Sequence, residues 1–411
     1  MEIHKGIPES VIERFSKTAP GLEIWWDSSP LVFENWAKKL ICDAPVEKRA
    51  ILEMQLRRLY DPGNITQSLI TGVTTNPPLS LNAIKDDPEY WKEWIRSYLK
   101  NNSLSSVDAV YWELYKEIVR KGAQAILPIF NASSYRSGFL SGQVDPRAAF
   151  NAEQMLAQAL ELSGLAPNVM IKIPGTAEGI RVIRKLTARG ISTNATLCFV
   201  VSQFIAVAEA VQAGLIEARR NNVDLTAWRS VVTQMSARWE DAVEFKEQAR
   251  AAGFGLTTEH KRWGSISIFK RAYQIFRQRA YPSKMLNCSL RLGPVVNGKQ
   301  RVWHLEKTAG ADAIFTLPPG FIAQLLQEAD DIDFKPRIWE PVPESVLNEL
   351  NNVPYFRLGM DEYGYTQLEF NSLPPLLSTY NEFSAMTEKM VSFVRETMRE
   401  LELTNESNLC L

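Results

Sequence analysis

Short apolar runs alternate with stretches of helical periodicity along most of this 411-residue chain. The eight runs are Leu22–Trp26, Ser68–Val73, Ala125–Phe130, Asn168–Ile173, Ser192–Phe199, Ser230–Met235, Met285–Leu290 and Asp312–Leu317. Between them, Arg147–Leu162, Gly179–Ala188 and Ser202–Ala218 carry apolar residues at the spacing of a helix face. Alternating strands and helices indicate parallel strands joined by crossover helices. Eight strands favour a closed (β/α)₈ TIM barrel over an open sheet.

The last part of the chain has a different character. Residues 331–375 hold many prolines and aromatic residues without a clear period. Tyr380–Leu401 then resumes a helical pattern. We therefore predict a barrel domain over residues 1–330 and a C-terminal extension over residues 331–411, whose terminal helix packs on the barrel.

Composition excludes several classes of protein. Lys and Arg number 46 and Asp and Glu number 47, so the formal net charge is −1. Proteins that coat nucleic acid, or that bind membranes through polybasic segments, carry a large excess of basic residues. Neither nucleic acid nor a membrane is therefore expected as a partner. The four cysteines form no C-x-x-C pair, and the three histidines lack metal-ligand spacing, so no metal is expected. The chain shows neither a secretory signal nor a ~20-residue apolar span, which predicts a cytoplasmic protein.

Lys172 is the most unusual residue in the predicted strands. It lies in the apolar run Asn168–Ile173, where a charged ammonium is costly to bury. Desolvation would lower its pKa and leave a neutral amine, the nucleophile of a Schiff-base enzyme. From the sequence pattern alone, Lys172 is explained at least as well by a lysine on an edge strand, whose ammonium group reaches water.

Other polar residues fall where predicted strands end, which is where barrel enzymes place their active groups. They are Asp27, Asn76, Gln143, Asn194, Thr196, Thr233 and Ser289. Two have simpler structural explanations, because Asp27 precedes Ser-Ser-Pro as a helix cap would and Asn76 precedes a proline as a turn residue would. Asn194 and Thr196 share one face of their strand by its period of two.

Two long segments resemble the signatures of the transaldolase family. Val73–Leu79 (VTTNPPL) is similar to the family's T-T-N-P-S-L motif. Met170–Ile180 (MIKIPGTAEGI) and Gly190–Phe199 (GISTNATLCF) resemble its Schiff-base region, I-K-[IVL]-P-A-T-x-E-G-I followed by G-I-x-x-N-x-T-L. Ile24–Pro30 (IWWDSSP) resembles its first-strand aspartate segment. The resemblance runs from about Leu22 to about Gln327, with two long motifs in the family's order.

The resemblance implies a lysine-dependent class I enzyme without a cofactor. Lys172 would form an imine with a ketose phosphate, and Asp27 would act as general base at the C4 hydroxyl. Asn76 and Asn194 would bind the hydroxyls of the retained dihydroxyacetone unit. Thr196 would position the water used in imine formation and hydrolysis, while Thr233 would line the substrate site.

Phosphate recognition is the second group of residues that the resemblance implies. Thr233–Arg238 (TQMSAR) and Cys288–Arg291 (CSLR) are similar to the segments with which the family binds a sugar phosphate. Arg238, Ser289 and Arg291 are the expected ligands, since guanidinium groups suit a phosphate dianion. Surface arginines paired with Glu240 or Asp241 are the alternative.

The chain departs from the family at one acidic residue that follows the predicted third strand. Gly138–Arg147 (GFLSGQVDPR) resembles G-x-[VL]-S-x-E-V-D-P-R, with Gln143 in place of the glutamate. Glutamine can orient a water but cannot exchange a proton with it. Relatives similar to fructose-6-phosphate aldolase also carry glutamine there and add a tyrosine, at a position that aligns with Met235 here. P-G-T at Gly175, in place of P-A-T, is a smaller departure.

Two classes of function follow from these observations. The first is a transaldolase-like enzyme of the pentose phosphate pathway or of a specialised biosynthetic pathway in carbohydrate metabolism. The second is a non-catalytic relative that binds a sugar phosphate or a partner protein on the same barrel. The divergent residues 239–270 and 331–375 would reshape the barrel mouth or form a subunit contact, and the latter is consistent with a homodimer.

Overall fold

Eight parallel strands close into a barrel in the computed structural model, which describes residues 8–329 and 331–409, with side chains to residue 401. The barrel strands are β1 (Glu23–Trp26), β2 (Ile70–Thr74), β3 (Phe139–Gln143), β4 (Val169–Pro174), β5 (Thr193–Cys198), β6 (Ser230–Met235), β7 (Lys284–Cys288) and β10 (Ile314–Leu317). A two-stranded hairpin, β8 (Val295–Val296) and β9 (Lys299–Gln300), lies between β7 and β10 in the chain. The barrel closes where β1 pairs with both β2 and β10. The predicted (β/α)₈ fold is confirmed.

Helices connect successive strands and form the outer layer. Those up to β5 are α1 (Val11–Ser16), α2 (Phe33–Asp43), α3 (Val46–Leu59), α4 (Pro77–Asp86), α5 (Pro88–Asn101), α6 (Val107–Ala132), α7 (Ala152–Ser163) and α8 (Ala177–Thr187). Those that follow β5 are α9 (Val201–Arg220), α10 (Ser236–Glu240), α11 (Val243–Ala251), α12 (Thr258–Gln278), α13 (Trp303–Glu306), α14 (Pro319–Glu328), α15 (Glu344–Leu350), α16 (Pro354–Met360) and α17 (Pro374–Leu409). Short 3₁₀ turns occupy Pro30–Val32, Pro62–Gln67, Pro146–Ala148 and Glu369–Ser372.

The prediction of a strand at Ala125–Phe130 is wrong. These residues form the last turns of α6, and the third strand is β3, which begins at Phe139. A buried helix segment and a buried strand both read as a continuous apolar run, so periodicity alone does not separate them. Pro128 lies inside this helix, a position where proline is uncommon.

The predicted helix at Arg147–Leu162 begins later than expected. Pro146–Ala148 forms a 3₁₀ turn, Asn151 caps α7, and Phe150 lies outside the helix and is exposed. The helices predicted at Gly179–Ala188 and Ser202–Ala218 correspond to α8 and α9. Helix boundaries depend on cap geometry, which spacing does not reveal.

The helix α9 is long and apolar enough to cross a membrane by composition, but 67% of its apolar window is buried inside the protein. Such burial is typical of a core helix in a soluble protein. The apolar content of α9 is therefore explained by its packing against α8 and α12.

The chain after β10 returns across the barrel. Helix α17 contacts α4, α5 and α6, and it also touches the end of β5 and α10. Phe383, Met390 and Val394 are among its buried residues. This path brings the terminal helix over the end of the barrel at which the strands finish.

Candidate active site

Lys172 lies in the centre of the barrel wall. Its strand β4 is bonded to β3 and β5, and a closed barrel offers no edge from which the ammonium could reach solvent. The side chain is buried, with 4% exposure for the residue, and Nζ donates to the carbonyl oxygen of Thr75 at 3.2 Å. Burial lowers the pKa of Lys172, although the charge of Asp27 opposes the shift. The edge-strand explanation is therefore excluded, and burial makes the amine easier to deprotonate than that of a lysine in water.

Three predicted site residues share one layer of the barrel interior. Lys172 is in register with Gln143 on β3 and with Asn194 on β5, so the three side chains point the same way. The Asn194 amide donates from Nδ2 to Ser141 Oγ at 3.0 Å, and its Oδ1 accepts from Thr233 Oγ1 at 2.6 Å. These two bonds fix the orientation of the Asn194 side chain.

Asp27 follows β1 and is held by a chain of hydroxyl groups. Thr74 Oγ1 donates to Asp27 Oδ1 at 2.7 Å, and Thr316 Oγ1 lies 2.5 Å from Thr74 Oγ1. Burial raises the pKa of Asp27, while Lys172 and the Thr74 hydrogen bond oppose that shift. The helix-cap explanation does not hold, because Ser29 caps the next turn.

A cavity of about 160 Å³ brings Asp27 and Lys172 together. It is also lined by the predicted residues Asn76, Thr233, Arg238 and Ser289. Cys288 lies in the same cavity, and burial raises the pKa of its thiol to about 12. At neutral pH the thiol is therefore protonated and a poor nucleophile.

Asn76 has a structural role as well as a place in this cavity. Its Oδ1 accepts from the backbone N–H of Leu79 at 3.0 Å and caps α4. The cap fixes the oxygen, so the amide group of Asn76 is presented in one orientation. Asn76 is thus a helix cap rather than a turn residue, and this role does not exclude contact with a ligand.

Gln143 and Thr196 are buried beside this cavity and do not line it. The Tyr115 hydroxyl bonds both the N–H and the carbonyl of Gln143, at 2.9 and 2.7 Å. Gln143 Oε1 has no hydrogen-bond partner among the described residues. The closest partner of Thr196 Oγ1 is the Met235 sulfur, at 3.9 Å. Both polar groups are therefore available to a water or a substrate hydroxyl.

The residues expected to bind phosphate lie at the rim of the cavity. Arg238 and Ser289 belong both to the inner cavity and to an outer chamber of about 790 Å³, and Arg291 lines the outer chamber only. Ser289 adopts φ +56°, a left-handed conformation that is strained for a residue other than glycine. Arg291 pairs with Asp241 at 2.6 Å, as the alternative from sequence anticipates.

Arg238 pairs with neither of the carboxylates considered from sequence. Its Nη1 and Nη2 donate to the two oxygens of Glu382 on α17, at 2.6 and 2.9 Å. Its guanidinium also lies 5.4 Å from the centre of the Phe383 ring. The terminal helix therefore contributes to the rim of the site.

Glu240 belongs to a buried cluster below this rim. It pairs with Arg262, accepts from Ser265 Oγ at 2.6 Å and lies 2.7 Å from His304 Nε2. His304 Nδ1 accepts the backbone N–H of Arg291 at 3.0 Å, so Nε2 carries the hydrogen that bonds Glu240. This arrangement supports the turn that carries Ser289 and Arg291.

Gly175 explains the smaller departure in P-G-T. A Cβ atom at this position would lie 2.7 Å from Cys198 Sγ and 2.8 Å from Gln203 Nε2. The Gln203 amide donates to the carbonyl oxygens of Gly175 and Leu197, at 2.7 and 3.0 Å. Glycine is required here because Gln203 occupies the space of an alanine methyl group.

Several residues of the site are missed by the sequence analysis. They are Thr74, Thr316, Cys288, Glu382 and Phe383. Thr74 is the last residue of β2 and Thr316 is the last but one of β10, and this position near the strand end was a usable signal. Glu382 and Phe383 come from the terminal helix, and local sequence gives no sign of their proximity to β6 and β7.

Comparison with known proteins identifies the family of this chain. The family model for transaldolase/fructose-6-phosphate aldolase matches residues 55–362, well over half of the chain. The transaldolase of Thiobacillus denitrificans is 27% identical over 312 residues, which cover 72% of this chain and 83% of that protein. The transaldolase of Saccharopolyspora erythraea is 32% identical over 203 residues, 48% of this chain and 54% of that protein.

A transaldolase of Campylobacter jejuni subsp. jejuni is 37% identical over 164 residues, which cover 39% of this chain and 48% of that protein. The alignments to the Saccharopolyspora and Campylobacter proteins thus span only about half the length of those relatives. The match of the family model and the closed parallel barrel lead to one assignment. The chain belongs to the transaldolase/fructose-6-phosphate aldolase family.

Proposed function

We propose that this protein transfers a dihydroxyacetone unit from a ketose phosphate to an aldehyde acceptor through an imine on Lys172. The observation that carries the proposal is the buried amine of Lys172 in one cavity with the Asp27 carboxyl. Family membership and sequence similarity to transaldolases support the same transferase chemistry. Sugar phosphates are the substrate class that this family implies.

The proposed reaction begins when the neutral Lys172 amine attacks the ketose carbonyl and water is lost to give a protonated imine. Asp27 takes the proton of the C4 hydroxyl, the C3–C4 bond breaks, and its electron pair moves into the imine. An aldose leaves and a three-carbon enamine stays on Lys172. The enamine adds to a second aldehyde, Asp27 returns the proton, and hydrolysis frees the product and the amine.

Binding roles follow from the positions of the polar groups. Asn76, Asn194 and Thr233 would bind the hydroxyls of the three-carbon unit, and Arg238, Ser289 and Arg291 would bind the phosphate at the rim. Gln143 and Thr196 would hold the water that forms and hydrolyses the imine. None of these steps requires a metal ion or an organic cofactor.

The setting of the reaction is also a proposal. Sugar-phosphate interconversion of the pentose phosphate type in the cytoplasm suits a protein whose described cysteines are free thiols. Gln143 supports a specialised version of this chemistry, since the family's acid is replaced. A homodimer is the assembly we propose, with the divergent residues 331–375 as the candidate contact.

Gln143→Glu tests whether the missing acid limits turnover. If it does, the substitution is expected to raise the rate of transfer from fructose 6-phosphate to erythrose 4-phosphate by about 10-fold or more, because a carboxyl group can exchange a proton with the water at the imine. Steady-state kinetics of both proteins give the comparison. An unchanged or lower rate would show that the pocket uses another proton route or another substrate.

The proposed function is tested by borohydride trapping with fructose 6-phosphate, read by intact mass and peptide mapping. A three-carbon adduct on the peptide that holds Lys172 is the expected result. A six-carbon adduct would show imine formation without cleavage. The absence of an adduct with any ketose phosphate would refute the proposal and favour a sugar-phosphate-binding or partner-binding relative on the same barrel.

A further inference from the structure

The arginines at the rim are already bound to carboxylates. Glu382 takes two donors of Arg238, and Asp241 takes one donor of Arg291. Lys261 also lies 3.6 Å from Asp241, whereas Arg238 and Glu382 form a pair without net charge. Arg238 paired in this way attracts a dianion less strongly than an uncompensated arginine would.

The position of Glu382 makes it a direct competitor for the phosphate. Its carboxylate forms the paired, planar contact with the Arg238 guanidinium that a phosphate would also form. Glu382 lines the outer chamber, while the next residue, Phe383, lines the inner cavity. Arg238 therefore lies where the inner cavity meets the outer chamber. A sugar phosphate attached to Lys172 would extend past this guanidinium group.

We propose that Glu382 is a specificity-determining residue, which competes with the substrate phosphate for Arg238 and thereby reduces the preference for phosphorylated substrates. The inference rests on the proposed function, in which Arg238 binds phosphate. It assigns to the terminal helix a direct part in the choice between phosphorylated and unphosphorylated ligands. Glu382 lines the outer chamber and not the inner cavity of about 160 Å³, so its charge should affect binding of the phosphate more than the imine step on an unphosphorylated ketose.

Glu382→Gln tests this inference. The amide keeps the shape of the side chain and removes its charge, so KM for fructose 6-phosphate is expected to fall about fivefold, consistent with one partly exposed ion pair. KM for fructose, the same ketose without the phosphate, should change much less, so the ratio of the two KM values reports the phosphate contact. Glu388→Gln is the matched control, because Glu388 lies on the same helix and pairs with Arg147 at 3.0 Å, outside the cavity.

A KM for fructose 6-phosphate that is unchanged or higher in Glu382→Gln would overturn the inference, since Glu382 would then only hold Arg238 in place. Calorimetric titration with inorganic phosphate separates this result from failure of the proposed function, because it needs no turnover. About fivefold tighter phosphate binding by Glu382→Gln, lost again when Arg238→Gln is added, would support the inference even if no ketose forms an imine. Equal phosphate binding by both proteins would contradict it.

Discussion

Replacement of Lys172 by methionine is expected to abolish transfer and, at the same time, to stabilise the fold. The transfer rate should fall by more than ~10⁴-fold, because the nucleophile is lost. The free energy of unfolding at pH 7 should rise by about 1–3 kcal/mol, because methionine of similar volume removes the desolvation cost of the amine, which exceeds its attraction to Asp27. Trapping with fructose 6-phosphate and the thermal midpoint at a fixed scan rate measure the two effects.

The gain in stability should depend on pH in a defined direction. Since burial lowers the pKa of folded Lys172 below its ordinary value of 10.5, the unfolded chain binds more protons at this site between the two values. Lys172 therefore lowers the free energy of unfolding most at pH values below its pKa in the folded protein. This unfavourable contribution shrinks as the pH rises toward 10.5. The advantage of Lys172→Met should shrink in the same range.

Lys284→Met provides the matched control on another barrel strand. Lys284 is paired with Glu23 and Asp312, each at 2.8 Å, at the start of β7. Its loss leaves two carboxylates without this cation and should lower the thermal midpoint while the adduct on Lys172 still forms. Equal stability changes in both variants would contradict the assignment of Lys172 as an unfavourably buried amine.

Asp27→Asn is expected to separate imine formation from carbon–carbon cleavage. The amide has nearly the same shape and can still accept the Thr74 hydrogen bond, but it cannot take the C4 proton. Turnover should fall by about 10²–10⁴-fold, the usual contribution of a general base. Borohydride should then capture a six-carbon adduct on Lys172 in place of the three-carbon one. A three-carbon adduct at the normal rate would show that another group takes the proton.

Thr74→Val is the control for Asp27, since it keeps the carboxylate and removes one hydrogen bond to it. That bond lowers the pKa of Asp27, so its loss should raise the pKa further. The acid limb of the pH–rate profile should move to higher pH, and the three-carbon adduct should persist. An unmoved limb would mean that a group other than Asp27 controls it.

The fold was largely predictable because most strands have local signatures. The run Ser230–Met235 coincides with β6, and Asn168–Ile173 differs from β4 by one residue at each end. The third strand was misplaced because the end of α6 is as apolar as a buried strand. Packing in three dimensions, rather than local pattern, makes Ala125–Phe130 helical.

The candidate site was predictable only where a motif marks it. Lys172, Asp27 and Asn76 occur in recognisable segments and line one cavity. The partner of Arg238 was not predictable, because Glu382 lies 144 positions later in the chain and its approach depends on the path of α17. Glu240, the nearer candidate, is instead held by Arg262 and His304 inside the protein.

The cavity also has a consequence for synthesis of the chain. Asp27 lies just after the first strand and Phe383 lies on the last helix, yet both line the space around Lys172. On a ribosome the first strand emerges long before α17. Until then the β4 segment lacks part of the enclosure that lowers the pKa of Lys172 in the folded protein. We therefore expect Lys172 to gain its full reactivity towards aldehydes and ketones only when α17 closes the pocket.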